Sequence, residues 1–234
     1  MIELFVWGDQ GWGDEMARGV LVTLELAAGA YLLGLLIGIF GAIARRSELR
    51  GLNRLAAGYS TAFRALPELV VISIIYFGGS MAVGEVLSWF GDAGYVEVDA
   101  LTSGILALGL VQGAYQTEVF RGAIQAVPDG QWEAARAIGL GRSVTFFKVI
   151  LPQVWRLAFP GMSNLWMTVL KETALVSAIG LEDVVRSAQM AAASTRSPFI
   201  FFTAVVVAYL VITAVSNSVI AKLEIRVNRG YVVT

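Results

Sequence analysis

The chain has 234 residues, of which 57% are hydrophobic and 15% charged, and its formal net charge is −1. An average soluble domain is about 25% charged, so the balance points to an integral membrane protein, and the near-zero sum provides no global field for nucleic acid. Cys and His are both absent, which removes disulfides, thiol nucleophiles and zinc sites of the usual ligand set.

Residues 1–18 form an acidic N-terminal segment without the basic flank of a secretory signal, and the apolar stretch behind it is longer than a signal core. It reads as a retained first span. Five apolar segments follow one another at about 19–44, 55–79, 102–127, 157–180 and 199–221. A helix of about 24 residues reaches about 36 Å, enough for the hydrocarbon core with some tilt. The expected fold is therefore an all-α integral membrane bundle of five transmembrane helices in a single domain, 19–221, followed by a tail at 222–234. Ala30, Gly34, Gly38 and Ala42 recur at four-residue spacing in the first segment. Small residues one turn apart let another helix approach closely, which suits internal packing more readily than a subunit interface.

Basic residues set the orientation. Arg45, Arg46, Arg50 and Arg54, then Arg136, Arg142, Lys148 and Arg156, then Lys222, Arg226 and Arg229 fall on one side. The other side holds Arg18, Arg186 and Arg196, and its 80–101 connection carries Glu85, Asp92, Glu97 and Asp99 instead. Positive charge marks the cytoplasm, so the N-terminus is expected outside and the C-terminus inside.

That places 128–156 in the cytoplasm. Pro128, Asp129 and Gly130 make a turn, Asp129 is expected to cap a helix beginning near Gln131, and Glu133 suits its positive end. Trp132, Ala135 and Gly139 share a face. Gly139 and Gly141 loosen the backbone, Ser143 is expected to cap a second short helix through Phe146, Phe147 and Ile150, and Pro152 to end it. The small Ala and Gly surfaces suit docking by another protein.

Glu133, Ala134 and Ala135, then Gly139, then Val149, Leu151 and Pro152 resemble the cytoplasmic coupling loop of permease subunits in binding-protein-dependent ABC importers, with Val149 in place of the commoner Ile. GVLVTLELA at 19–27, FRALPELV at 63–70, GAYQTEVFRGAIQAVPDGQWEAA at 113–135 and LKETALVSAIGLEDVV at 170–185 extend the resemblance to the polar-amino-acid branch, notably Q-type subunits of histidine/lysine/arginine/ornithine, octopine and nopaline importers. The resemblance implies a type I (MetI-like) permease bundle in the bacterial inner membrane, with the loop seated on an ATP-hydrolysing subunit. Its implied partners are an ATPase dimer, a second permease that is either an M-type chain or another copy, a periplasmic solute-binding protein and an amino-acid substrate. The chain itself is expected to bind no cofactor or metal, ATP and Mg belonging to the ATPase. A P-loop needs Gly before Lys, and the lysines here follow Phe147, Leu170 and Ala221.

Charges inside apolar segments mark the remaining candidates, because burying them in a bilayer is costly unless they face a partner or a wet cavity. Arg64, Glu68, Glu118, Lys171 and Glu172, with the Thr173 hydroxyl, are expected along the substrate pathway. Glu118 and Glu172 together would favour a cationic amino acid, although interhelical struts explain them equally well, and Glu118 can pair with Arg121 on its own helix. Asp183, Arg186 and Gln189 form a stripe at three-residue spacing that is either a solvated face or a contact for the docked binding protein. A self-sufficient secondary transporter or channel is the alternative, but it leaves the cytoplasmic loop without a task. A membrane-embedded enzyme lacks any visible nucleophile–base motif.

Overall fold

The first apolar stretch forms one unbroken helix, α1 (Gly13–Arg45), seen in a computed structural model that describes residues 2–8, 11–89 and 98–229. Asp14 and Glu15 in its first turn and Arg45 in its last complement the helix dipole. The described residues contain helices and no strand. The tip of the acidic 80–101 connection, with Asp92 and Glu97, and the end of the C-terminal tail lie outside the described residues.

The small-residue stripe of α1 packs internally against α5 (Ala100–Gln125). A Cβ on Gly34 would stand 2.8 Å from the Cβ of Gln112, and one on Gly38 2.5 Å from that of Gln116. No larger residue fits at this separation. Asp99 caps α5 by accepting from the Thr102 backbone N–H at 3.0 Å.

The stretch expected as one span over 55–79 is divided. Helix α2 (Arg50–Ala65) stops where Leu66 turns extended ahead of Pro67, and α3 (Glu68–Ser73) begins immediately after. The proline ring disfavours helical geometry at the preceding residue and lacks an N–H to continue the ladder. A π-helical turn at Ile74–Gly78 then leads into α4 (Gly79–Ser88). Glu68–Val86, rather than 55–79, is the apolar helical stretch long enough to cross a membrane. Helix α2 instead lies against α5, where the Tyr59 hydroxyl donates to the Leu110 carbonyl at 2.6 Å.

Beyond α5 come α6 (Asp129–Ala137), α7 (Arg142–Thr145), a π-helical stretch at Phe146–Ile150 and α8 (Leu151–Glu172). The expected span 157–180 changes character at its end, tightening into a 3₁₀ helix over Thr173–Ile179 that stops at Gly180, φ +94°. Helix α9 (Val184–Thr195) follows, and after Arg196 in the left-handed region α10 (Pro198–Val227) closes the bundle. By length and composition α1 and α10 can also cross a membrane. Helix α5 has the length, at 26 residues, but spends part of it on the buried Gln112, Gln116 and Thr117.

Three apolar clusters hold these elements. Leu26, Ile72, Leu108, Val111, Leu170 and Val176 join α1, α3, α5, α8 and the 3₁₀ turn. Ala42, Phe120, Ile150, Val154 and Met162 tie the α6–α7 region to α1 and α5. Met16, Val184, Ala188 and Phe201 fix α9 between α1 and α10.

Candidate functional site

The loop between α5 and α8 is built as a projecting helical hairpin. Pro128, not Asp129, occupies the N-cap position of α6, and Asp129 lies within its first turn. The proline supplies the extended backbone that starts the helix, so the aspartate acts on the dipole and not as a cap. The other end of α6 is a Schellman closure: the Gly139 N–H donates to the Arg136 carbonyl at 2.9 Å and the Leu140 N–H to the Ala135 carbonyl at 3.0 Å. Gly139 has φ +77°, a conformation a Cβ resists.

Ser143 does not cap the second helix either, because that helix already starts at Arg142, with Gly141 in the N-cap position. Nor does Pro152 end it. The helix widens instead: the Leu151 N–H reaches back five residues to the Phe146 carbonyl, and the chain runs on into α8 with Pro152 in its first turn. Widening here fits a residue that has no N–H to donate and whose ring crowds the preceding turn. The Gln153 amide meets the Val149 carbonyl at 2.8 Å and Gln131 of α6 at 3.3 Å, which ties the two arms together.

One side of the hairpin is anchored and the other is free. Ala135 is buried, and Trp132, Phe146 and Val149 pack on the Phe120–Ile150–Val154 cluster. Glu133, Ala134, Gly139, Leu151 and Pro152 are exposed, and so are the large apolar side chains of Ile138 and Phe147. Trp132 and Ala135 thus face inward while Gly139 does not share their face. A cleft of about 660 Å³ lies along the hairpin, lined by Arg46, Asp129, Glu133, Arg136 and Arg142 among others.

The intramembrane charges separate into two groups. Glu118 is engaged within the bundle: it pairs with Arg121 at 2.6 Å and with Arg45 of α1 at 3.7 Å. Glu172, at the end of α8, accepts a 2.9 Å hydrogen bond from the Gln112 amide of α5. Glu118 and Glu172 therefore engage different partners. Lys171 is exposed, and Arg64 is exposed at the end of α2 with its Nε on the Ser60 carbonyl. The Thr173 hydroxyl is fully buried, bonded to the Leu170 carbonyl and to Tyr209, so it faces α10 and not a cavity.

Gln112 was not singled out from the sequence, although Gln112 and Gln116, one turn apart in an apolar stretch, were a readable signal. Both are fully buried, and each side-chain carbonyl oxygen lacks a hydrogen-bond partner among the described residues.

The stripe Asp183–Arg186–Gln189 does not form as a surface. Asp183 is fully buried as the N-cap of α9, accepting from the Arg186 N–H at 2.9 Å, because α9 begins directly on α1. The Val184 N–H meets the Thr23 hydroxyl, and a Cβ on Gly19 would lie 2.8 Å from Val184 Cα. Burial pushes the Asp183 carboxyl up to about 6. Gln189 and Glu182 are the residues exposed here, and Arg186 is half-buried.

Residues 34–229 match the family described as the binding-protein-dependent transport system inner membrane component. The chain is 43% identical to the octopine transport system permease protein OccQ of Rhizobium radiobacter, over 97% of this chain and 96% of that one. It is also 43% identical to the histidine/lysine/arginine/ornithine transport system permease protein HisQ of Escherichia coli, over 94% and 96%. Among solved structures, an amino acid ABC transporter with histidines superposes with a TM-score of 0.79 at 31% identity, covering 92% of this chain and 95% of that one. An inward-facing MetNI methionine ABC transporter shares the fold, with a TM-score of 0.72 at 18% identity, over 92% and 96%.

Proposed function

Because the chain belongs to the family of inner membrane components of binding-protein-dependent transport systems, we propose that it is the permease subunit of an ABC importer for polar, basic amino acids of the histidine, arginine, lysine, ornithine or opine type. It supplies the translocation pathway in the bacterial inner membrane, N-terminus outside and C-terminus inside. A separate ATPase dimer binds ATP and Mg, a second permease completes the pathway, and a solute-binding protein delivers the substrate.

The observation that carries this reading is the α6–α7 hairpin. Its base is welded to the bundle through Trp132, Phe146 and Ile150 while Glu133, Ala134 and Ile138 stand free. A rigid helical projection with small and apolar residues outward is built to be gripped and moved. Glu133, Ala134, Ala135, Gly139, Val149, Leu151 and Pro152 form this ATPase-docking element, with Ala135 and Val149 as its inner support. Motion at the hairpin reaches α1 and α5 through the shared cluster, and binding biases the inward- and outward-open states only through differential affinity.

The substrate's cationic group is received by Glu172 and Glu68, with Lys171 and Arg64 bounding the acidic stretch. Glu118 and Thr173 flank the route as struts, Glu118 through Arg121 and Arg45 and Thr173 through Tyr209. Arg186 and Gln189 meet the binding protein, with Asp183 holding their helix in place.

The test is a mild-detergent pull-down of the tagged chain, wild type against Glu133→Arg at equal expression. The expected result is loss of a co-purifying ATPase in the variant alone. Absence of any ATPase with wild type, together with normal transport by the variant, would overturn the reading.

A further inference from the structure

Beside the hairpin, the end of α1 and the start of α2 enclose an apolar groove of about 750 Å³, within the size range of small-molecule sites. Phe40, Ile43, Leu52 and Ile124 line it together with Trp132 and Phe146, and among the described residues Arg46 is the one charged residue at its edge. Phe40, Ile43 and Leu52 are exposed.

The groove continues a longer feature. Leu32, Leu36, Phe40 and Ile43 are exposed in succession at three- and four-residue spacing along α1, on a helix apolar enough to span a membrane. This exposed apolar stripe is distinct from the Ala30–Gly34–Gly38–Ala42 stripe that meets α5. Three residues past Ile43, just beyond the end of α1, comes Arg46. Its neighbour Arg45 is engaged by Glu118 and Asn53, whereas the Arg46 side chain has no ion pair or hydrogen bond among the described residues. The surrounding charge is predominantly basic: Arg50 and Arg54 are exposed on α2, and Arg136 and Arg142 line the adjoining cleft, against Glu48, Asp129 and Glu133.

We propose that this groove binds an anionic phospholipid, with an acyl chain along Phe40, Ile43 and Leu52 and the phosphate on the Arg46 guanidinium. A hydrocarbon-facing stripe that ends in an unpaired cation matches the layout of a lipid, tail first and headgroup last. The planar guanidinium suits a phosphate because it can donate two parallel hydrogen bonds. Basic clusters immediately beyond a membrane-spanning helix favour anionic headgroups, and an indole such as Trp132 settles at the interface. The inference needs only that α1 spans the membrane, whichever side this end faces.

The test is native mass spectrometry of the purified transporter complex in neutral detergent, titrated with phosphatidylglycerol or phosphatidylcholine of the same chain length. Wild type is expected to retain phosphatidylglycerol about fivefold better, the effect of one basic residue at a membrane surface. Arg46→Gln brings the ratio to near one, Ala44→Trp, which fills the groove, lowers retention of both lipids, and Arg50→Gln preserves the preference. Equal retention by wild type, or an undiminished preference in Arg46→Gln, overturns the proposal. So does a photocrosslinker at Leu52 that captures a second permease subunit in place of lipid. Co-purification of the ATPase with Arg46→Gln separates this site from the docking hairpin. If ATPase and lipid preference are lost together, Arg46 belongs to docking and the lipid site is overturned.

Discussion

The Gln112 amide and the Glu172 carboxylate lie 2.9 Å apart and join α5 to α8. Gln112 is fully buried and its own carbonyl oxygen has no partner among the described residues, so the amide is committed to orienting the carboxylate. A hydrogen bond to a charged group contributes roughly 1.5–3 kcal/mol. Gln112→Leu is therefore expected to reduce uptake of lysine or arginine at least tenfold at low substrate in proteoliposomes containing the whole transporter. Glu172→Gln, which keeps an acceptor for Gln112 but removes the charge, should impair cationic substrates while leaving assembly intact. Equal uptake by wild type and both variants would remove Glu172 from the pathway.

The Schellman closure at Gly139 makes a second expectation. A side chain in the left-handed region costs roughly 1–2 kcal/mol, and asparagine tolerates that region better than other residues. Gly139→Val should loosen the end of α6 and weaken ATPase co-purification, with Gly139→Asn intermediate. The cause is backbone strain and not a clash, since nothing packs within 4 Å of a Cβ built there, so the melting temperature of the isolated chain should fall with Gly139→Val and fall less with Gly139→Asn.

The fold was largely legible in the sequence because apolar length and small-residue spacing are direct consequences of the bilayer and of close helix approach. The stripe of Ala30, Gly34, Gly38 and Ala42 appears as read. What the sequence obscured was the break at Leu66–Pro67: an apolar run stays apolar across a proline, while the backbone does not stay helical. The hairpin's outline was readable from Glu133, Gly139 and Pro152, but its caps were not, since Asp129 and Ser143 are one step inside helices that Pro128 and Gly141 begin. Charges were visible and their partners were not. Pairing of Glu118 with Arg121 follows from local spacing, whereas the Gln112–Glu172 hydrogen bond depends on two elements distant in sequence meeting.

Packing of α1 on α5 gives a third prediction. A Cβ at Gly38 would come to 2.5 Å from Gln116 Cβ, while one at Gly51 would meet nothing. Overpacking costs about 1–3 kcal/mol, so Gly38→Ala should lower the melting temperature in detergent and Gly38→Leu should block accumulation of folded protein. Gly51→Ala, on α2, should be neutral or raise stability by roughly 0.5–1 kcal/mol through helix propensity. Equal melting of Gly38→Ala and wild type would contradict the tight α1–α5 contact.

The last prediction concerns pH. Burial raises the Asp183 carboxyl from an ordinary 3.8 to about 6, against the opposing effect of its backbone hydrogen bonds. Between those values the folded chain holds more protons than the unfolded one, so stability falls as pH rises. The cost is complete above pH 6, worth about 3 kcal/mol for a difference of roughly two pH units, and is relieved as pH drops toward 4. Asp183→Asn retains an acceptor for the Arg186 N–H and carries no charge to desolvate. Melting profiles of the purified chain from pH 4.5 to 8 should therefore show wild type gaining on Asp183→Asn as the pH falls, with the variant more stable at pH 8. A constant difference across that range would mean that Asp183 is ionised at an ordinary pKa, and hence that α9 does not seal it against α1.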